Sequence, residues 1–328
     1  MVNTTFSIGF STHRLESLPF AQAEMARHQA IVLEEPPSLS LAKVLQGSAS
    51  AEEYLWELDA EFPEFGRQQL AILRDLWQRG RTILQVEPYL ERLVAIHELF
   101  AQEVTPSEVM GREDLRQVYD MEREATAALL RFYEVSLQAP FSQVVEAVLQ
   151  FAKRDAARFR LRDVLRAQAL AKLAGQFESV YVETGHMHLS LPGELRRSLN
   201  GRGKVRPRFL LGAVARQRSP HPRIFGPGDE LTFAYLFHRP IGPETERLLA
   251  ARSLIYIKLL SKDEIPESPS ATPHLDEELH LSALMCHLAY DDCEQLYPLL
   301  KQASPRQAEE LVSQFLKRKE STGQSENT

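Results

Sequence analysis

The sequence predicts an α/β protein with a mostly parallel central sheet and helices on both of its faces. Two observations carry that expectation. Ala30 to Leu33 is an uninterrupted apolar run of strand length, as a parallel strand buried on both faces requires. The first half of the chain also alternates strand-like with helix-like patterns, and parallel neighbours need a long crossover that is usually helical.

Each element follows in order. Thr5 to Leu15 is β-favouring and partly apolar and passes through Ser11-Thr12-His13-Arg14, a first strand running into a loop. Pro19 opens a helix to His28. The apolar run then stops at Glu34-Glu35-Pro36-Pro37, so polar residues stand at its carboxyl end. Helical patterns fill Leu39 to Arg79, broken near Gly47 and Pro63, and Gly80 ends the last of them. Thr82 to Val86 is a third short strand, closed by Glu87-Pro88. From Tyr89 to Gly175 the periodicity is helical, broken at Thr105-Pro106 and Ala139-Pro140, where proline disfavours continuation. Glu178 to Val182 returns as a strand that leads into Glu183-Thr184-Gly185-His186-Met187-His188. Pro192 to Leu199 reads as a short helix, and Arg208 to Ala215 as a further strand paired with one around Leu231 to Leu236. Beyond Gly242 the chain is helical to Lys319, with a Pro/Ser-rich joint at Pro266 to Pro273. The expected division is an α/β core over residues 1–240 with a helical insert at about 89–175, a helical region over 241–319, and a frayed polar tail over 320–328.

Composition narrows the partners. The chain has 328 residues, 44% hydrophobic and 25% charged, enough for a substantial core, and a formal net charge of -7. That charge offers no general attraction to phosphate backbones or anionic lipids, so neither nucleic acid nor membrane is expected as a partner. Arg202 to Arg223 is the only basic stretch, and it reads as a solvated loop and a charged strand edge. No apolar run approaches the roughly 20 residues of a membrane span and no leader pattern opens the chain, so the expected location is the cytoplasm. Cys286 and Cys293 lie too far apart on one helix to be bridged and read as small buried hydrophobes. His280 and His287 read as surface or packing residues, and a homo-oligomer stays open.

Chemistry is expected where strands end. Open parallel sheets bind ligands outside the carboxyl ends of their strands, where loops converge. Four such ends carry His13, Glu34 with Glu35, Glu87, and His186 with His188. Imidazoles and carboxylates in one crevice suit a divalent metal, with His13, Glu87, His186 and His188 as ligands. They suit metal-free acid-base catalysis equally, because neighbouring carboxylates raise one another's pKa. Glu34, Glu35 and His186 are the candidate catalytic residues, and Arg14, Tyr89 and Arg162 the candidate substrate-binding ones. There is no Gly-x-Ser-x-Gly elbow, P-loop or His-Glu-x-x-His helix to support serine-hydrolase, nucleotide-hydrolase or zincin chemistry.

The order of these motifs resembles the superfamily of TraB and TIKI proteins, ChaN-like haem-binding proteins and erythromycin esterases. The residues that carry the likeness are Ser11-Thr12-His13, Val32-Leu33-Glu34-Glu35, Val86-Glu87, the Arg162-Asp163 pair and Thr184-Gly185-His186, across Phe6 to Ala215. A second alignment would satisfy a Gly-x-x-His signature with Gly185 and His188. The resemblance implies a hydrolase of an amide or ester bond acting on a small-molecule or peptide ligand, with a divalent metal ion as cofactor in some members. A non-catalytic ligand-binding or regulatory protein that keeps the same crevice is the alternative.

Overall fold

A computed structural model of the chain describes residues 3–59, 61–265 and 268–325. Its centre is a five-stranded, all-parallel sheet of β1 (Thr4–Ser11), β2 (Ala30–Leu33), β3 (Thr82–Gln85), β4 (Ser179–Gly185) and β5 (Gly203–Phe209). The order across the sheet is β3-β2-β4-β1-β5. The fourth strand in sequence therefore lies between the first two. Ile8 of β1 pairs with Val182 of β4, and Val182 in turn with Val32 of β2.

Side-chain alternation sends successive residues of each strand to opposite faces. Phe6, Ile8, Val32, Val180 and Val182 pack on one face with Ala167 and Leu170 of helix Phe141–Ala171 and with Leu191, Leu195 and Leu199 of helix Leu191–Leu199. Ile31, Leu33 and Tyr181 pack on the other with helices Leu18–Met25, Leu39–Gln46 and Pro63–Gln78. Gly9 is required beneath Tyr181, because a Cβ there would stand 2.2 Å from the phenol oxygen. Leu73 is 1% exposed, and truncating such a side chain to alanine costs about 2–5 kcal/mol.

Helix Pro63–Gln78 is held at its start by two devices. Pro63 occupies the first turn, where its missing N–H costs nothing, and the Glu264 carboxylate accepts from the amides of Glu64 and Phe65 at 3.0 and 2.7 Å. The same capping chemistry opens helix Leu39–Gln46, where Ser38 Oγ accepts from Ser40 N at 3.0 Å.

The chain forms two compact units. The first contains the sheet and takes in residues to Arg123, Arg158–Val214 and a short stretch at Glu264. The second, Glu124–Ala157 with Ala215–Asp263 and the residues from Ser268 onward, is helical. Its core includes Leu254, Ile255, Leu288, Leu300 and Val312. Residue 240 thus falls inside the second unit, and the helical segment from Tyr89 to Gly175 is shared between the two. Cys293 is buried in the helical unit, where burial pushes its thiol up to about 12, and both cysteines are free. His280 is exposed beside Glu309.

Two expected strands are corrected. The last strand is Gly203–Phe209, earlier than expected, and it pairs parallel with β1, while Gly212–Arg218 is a helix. Leu231 to Leu236 lies in helix Pro227–Leu236, whose N-terminus is fixed by Pro227 and by Gly226 N donating to Asp229 Oδ2. Leu231 to Leu236 is mostly apolar and largely buried, and so short a run has no period to distinguish it from a strand. Of the expected frayed tail, helix Pro305–Ser325 continues through its first residues and 326–328 lie outside the described ones, as do 266 and 267 of the Pro/Ser-rich joint.

Candidate functional site

Because β4 separates β1 from β2, the residues after all three strands meet at one end of the sheet. His13 follows β1 in a turn with φ of 53°, a left-handed conformation uncommon for a non-glycine residue, and its amide donates to Ser11 Oγ at 2.9 Å. Glu34 and Glu35 follow β2, and Glu183 stands near the end of β4 on the face that carries Tyr181. A Cβ placed on Gly185 would be 3.6 Å from Glu34 Oε2, 3.6 Å from His13 Cε1 and 3.7 Å from His188 Cδ2, so the glycine is the hub around which these side chains gather.

Behind the hub lies a buried ionic network. Glu34 accepts from Gly185 N at 2.6 Å and from Arg162 Nη2 at 3.2 Å, and faces His188 Nε2 at 2.8 Å and Arg166 Nη1 at 3.4 Å. Burial alone would raise its pKa, but His188, Arg166 and Arg162 together hold it well below the usual carboxylate range. Glu87, fully buried, lies 3.5 Å from Arg162 Nε and 3.6 Å from Arg166 Nε. His188 Nδ1 is 2.5 Å from Asp163 Oδ1, and the other Asp163 oxygen accepts from Ser190 Oγ. Burial works against the imidazolium, yet Glu34 and Asp163 overcome it and bring His188 up to about 9. Arg166 also donates to the carbonyls of Val86 at 3.0 Å and Glu183 at 2.7 Å, tying the ends of β3 and β4 together.

In front of the hub is a cleft of about 230 Å³. Its floor holds His13, Glu35, Glu183 and Gln69, and its wall is mostly apolar, with Leu55, Leu58, Phe62 and Phe65 alongside Glu61. Glu183 Oε1 lies 3.9 Å from His13 Nε2 and accepts from Gln69 Nε2. Desolvation, with Glu34 nearby, pushes Glu183 up to about 7. Burial likewise raises Glu35, although it accepts from Tyr54 OH at 2.5 Å and Gln85 Nε2 at 2.9 Å. Burial lowers His13.

Of the residues expected from sequence, His13, Glu34, Glu35 and His188 come together here, and Glu87 joins through the two arginines. Arg162 is in the network, and Tyr89 lies beside it with its ring 5.9 Å from the guanidinium while its hydroxyl donates to Glu122 at 2.7 Å. Arg14 stacks on Phe62 at 3.8 Å. His186 is half-buried and its amide donates to Ser11 O at 3.0 Å. Glu183, Gln69, Tyr54 and Arg166 were not among the expected site residues. Gln69 and Arg166 had a readable signal: each is a polar residue spaced four from apolar ones on a buried helix face, Phe65 and Leu73 for the first, Leu170 for the second. Among the described residues no three His, Cys, Asp or Glu side chains form a group suited to a metal ion, and no helix is long and apolar enough to cross a membrane.

No family model and no solved structure matches the chain. It is 30% identical over 289 residues, 88% of its own length and 96% of the relative's, to an uncharacterized protein of Archaeoglobus fulgidus. By a likeness of that extent the chain belongs to the same family as the archaeal protein.

Proposed function

We propose that the protein is a hydrolase of an ester or amide bond, working without a metal, with Glu183 as general base and Glu35 as proton donor. The observation that carries this is a buried carboxyl, Glu183, poised near 7 and 3.9 Å from His13 on the floor of a cleft. A general base works best when its pKa lies near the working pH. Water held between Glu183 and His13 would pass a proton to Glu183 as its oxygen bonds to the carbonyl carbon. The leaving oxygen or nitrogen would take a proton from Glu35, a carboxyl that burial raises from its ordinary value.

The network behind the floor has a different task in this reading. Glu34 is held ionised with its oxygens engaged, and His188 keeps its proton to about 9, so neither serves as base near neutral pH. They hold Gly185 and the strand ends in place. The residues expected to bind a metal suit one poorly: Glu87 faces two guanidiniums, and both ring nitrogens of His188 already meet carboxylates. No step is routed through a metal.

The test is turnover of nitrophenyl esters and amino-acid anilides by wild type and Glu183→Gln. Wild type should turn over a member of the panel with a rate that rises through pH 7, and the variant should lose about a hundredfold or more. Activity that survives Glu183→Gln within a few-fold, or that demands added zinc or manganese, overturns the assignment. Ligand binding without turnover is the second reading, supported by the apolar wall of the cleft, and it predicts a silent panel.

A further inference from the structure

Gln85, Tyr54 and Glu35 close a ring of hydrogen bonds at the cleft. Gln85 is the last residue of β3, in register with Leu33 of β2. Ile83, two residues earlier, packs on the face of the sheet that carries Tyr181, and the two-residue period of a strand sends Gln85 the same way. There its Nε2 donates to Glu35 Oε2 at 2.9 Å and to Tyr54 OH at 2.8 Å, while Tyr54 OH donates to the same Glu35 oxygen at 2.5 Å. Ser38 N donates to Gln85 Oε1 at 2.8 Å, which fixes the end of the amide that carries the N–H groups. The ring treats the two oxygens of Glu35 differently. Oε2 accepts from both donors, and among the described residues no donor meets Oε1. Glu35 and Tyr54 line the cleft, and Gln85 acts on it through them.

We propose that Gln85 is a positioning residue, which holds the Glu35 carboxyl with its proton on Oε1 and steadies on Oε2 the charge that remains when the proton leaves. The inference rests on Glu35 being the proton donor of the proposed hydrolysis. In a neutral carboxyl the oxygen that accepts two donors is the carbonyl oxygen, and the hydroxyl falls to the other. In the step, the Oε1–H bond breaks and the proton joins the leaving oxygen or nitrogen, which takes the electron pair of its bond to the carbonyl carbon. The carboxylate left behind keeps both hydrogen bonds, and a bond to a charged acceptor is stronger than one to a neutral acceptor. Gln85 and Tyr54 therefore ease the release of a proton that burial retains. Burial is the largest influence on this carboxyl and raises it, with the Glu183 carboxyl acting in the same direction; the donors Tyr54 and Gln85 and the imidazole of His13 oppose them.

Infrared spectroscopy of the full chain with isotope-labelled glutamate, Glu35 being identified by difference against Glu35→Gln, reads both the titration and the carbonyl stretch of this carboxyl. At a pH where Glu35 is protonated, its wild-type band should lie at the low frequency of a carbonyl that accepts two hydrogen bonds. Gln85→Leu, and Gln85→Met with its longer side chain, should move the band to higher frequency and raise the titration by about one pH unit or more, the worth of one hydrogen bond to a charged group. In turnover, the same variants should shift to higher pH the fall in rate that follows deprotonation of Glu35. A Gln85 with a structural role alone would lower the melting temperature and leave the Glu35 titration and band unchanged, and that result overturns the proposal. So does a wild-type band at the frequency of a free carbonyl, which decides the matter even if circular dichroism shows that neither variant folds. A silent hydrolysis panel alongside a Gln85-dependent Glu35 titration defeats the hydrolase reading alone and supports the placement of the proton.

Discussion

The two sides of Gly185 hold similar residue types in opposite conditions. Behind it, three carboxylates (Glu34, Glu87 and Asp163) face two guanidiniums and the imidazole of His188, at distances of 2.5 to 3.6 Å. In front of it, His13, Glu35 and Glu183 have neutral hydrogen-bond partners or each other, and among the described residues no Lys or Arg cation lies within the same reach. Both groups are largely buried, so desolvation acts on both. Counter-charges decide the result: they hold Glu34 ionised behind the hub, and their scarcity leaves Glu183 near neutrality in front. Fixed charge and exchangeable protons thus come from one set of side chains, sorted by which helix faces them.

The comparison breaks most severely at Arg166. It is fully buried and spans Glu34, Glu87 and two strand-end carbonyls, so Arg166→Leu leaves buried carboxylates short of a partner. Chemical denaturation should show a loss of about 3–5 kcal/mol. A loss below about 1 kcal/mol would mean that the network is not the rigid side of the pair.

The pH dependence of stability sharpens the contrast. Glu183 moves up from 4.5 to about 7, so the folded state holds its proton more tightly than the unfolded chain. Its contribution is full below pH 4.5 and is lost as pH rises through 7, a change on the order of 3 kcal/mol. His188 moves up from 6.5 to about 9, so its contribution is full below pH 6.5 and is lost as pH rises through 9. Glu34, held low, adds stability above pH 4.5 that is lost on acidification. Thermal melting should therefore peak near pH 4.5, and Glu183→Gln should abolish the decline between 4.5 and 7 while sparing the one above it. Melting curves of the two proteins that remain parallel across that range would contradict the assignment.

Smaller effects separate the two histidines after β4. His188 is 2% exposed and bonded to Asp163, so His188→Gln should cost about 1–3 kcal/mol. His186 is half-buried, and its alanine variant should cost less. The reverse order would exchange their roles. Smallest is Gln69→Leu: the amide hydrogen bond lowers Glu183 against desolvation, so its removal should move the Glu183 titration upward, read as a shift of the stability-pH curve to higher pH. A downward shift would show that Gln69 does not donate to this carboxylate.

Much of the fold was legible in short stretches. Ala30 to Leu33 announces a strand buried on both faces, and each of its residues is buried. Prolines and glycines mark the helix boundaries at Gly47, Pro63, Gly80, Pro106 and Pro140. The strand-end position of His13, Glu34, Glu35 and Glu87 follows from local pattern too, because side-chain period and turn chemistry depend on near neighbours. The mostly apolar run Leu231 to Leu236, inside helix Pro227–Leu236, escaped the same reasoning because burial of nearly all its residues erases periodicity.

The sequence by itself determined that acids and imidazoles would stand at the carboxyl ends of parallel strands. Only the tertiary structure decided which of them meet. Placing β4 between β1 and β2 is a pairing across some 150 residues, and it brings Glu183 beside Glu34 and His13. It also decided their chemistry. Glu34 and Glu183 are the same residue type, and their pKa values part because His188, Arg166 and Arg162 surround one while desolvation, with Glu34 nearby, prevails at the other. Desolvation and Coulomb energy depend on neighbours in space, and folding alone supplies those neighbours.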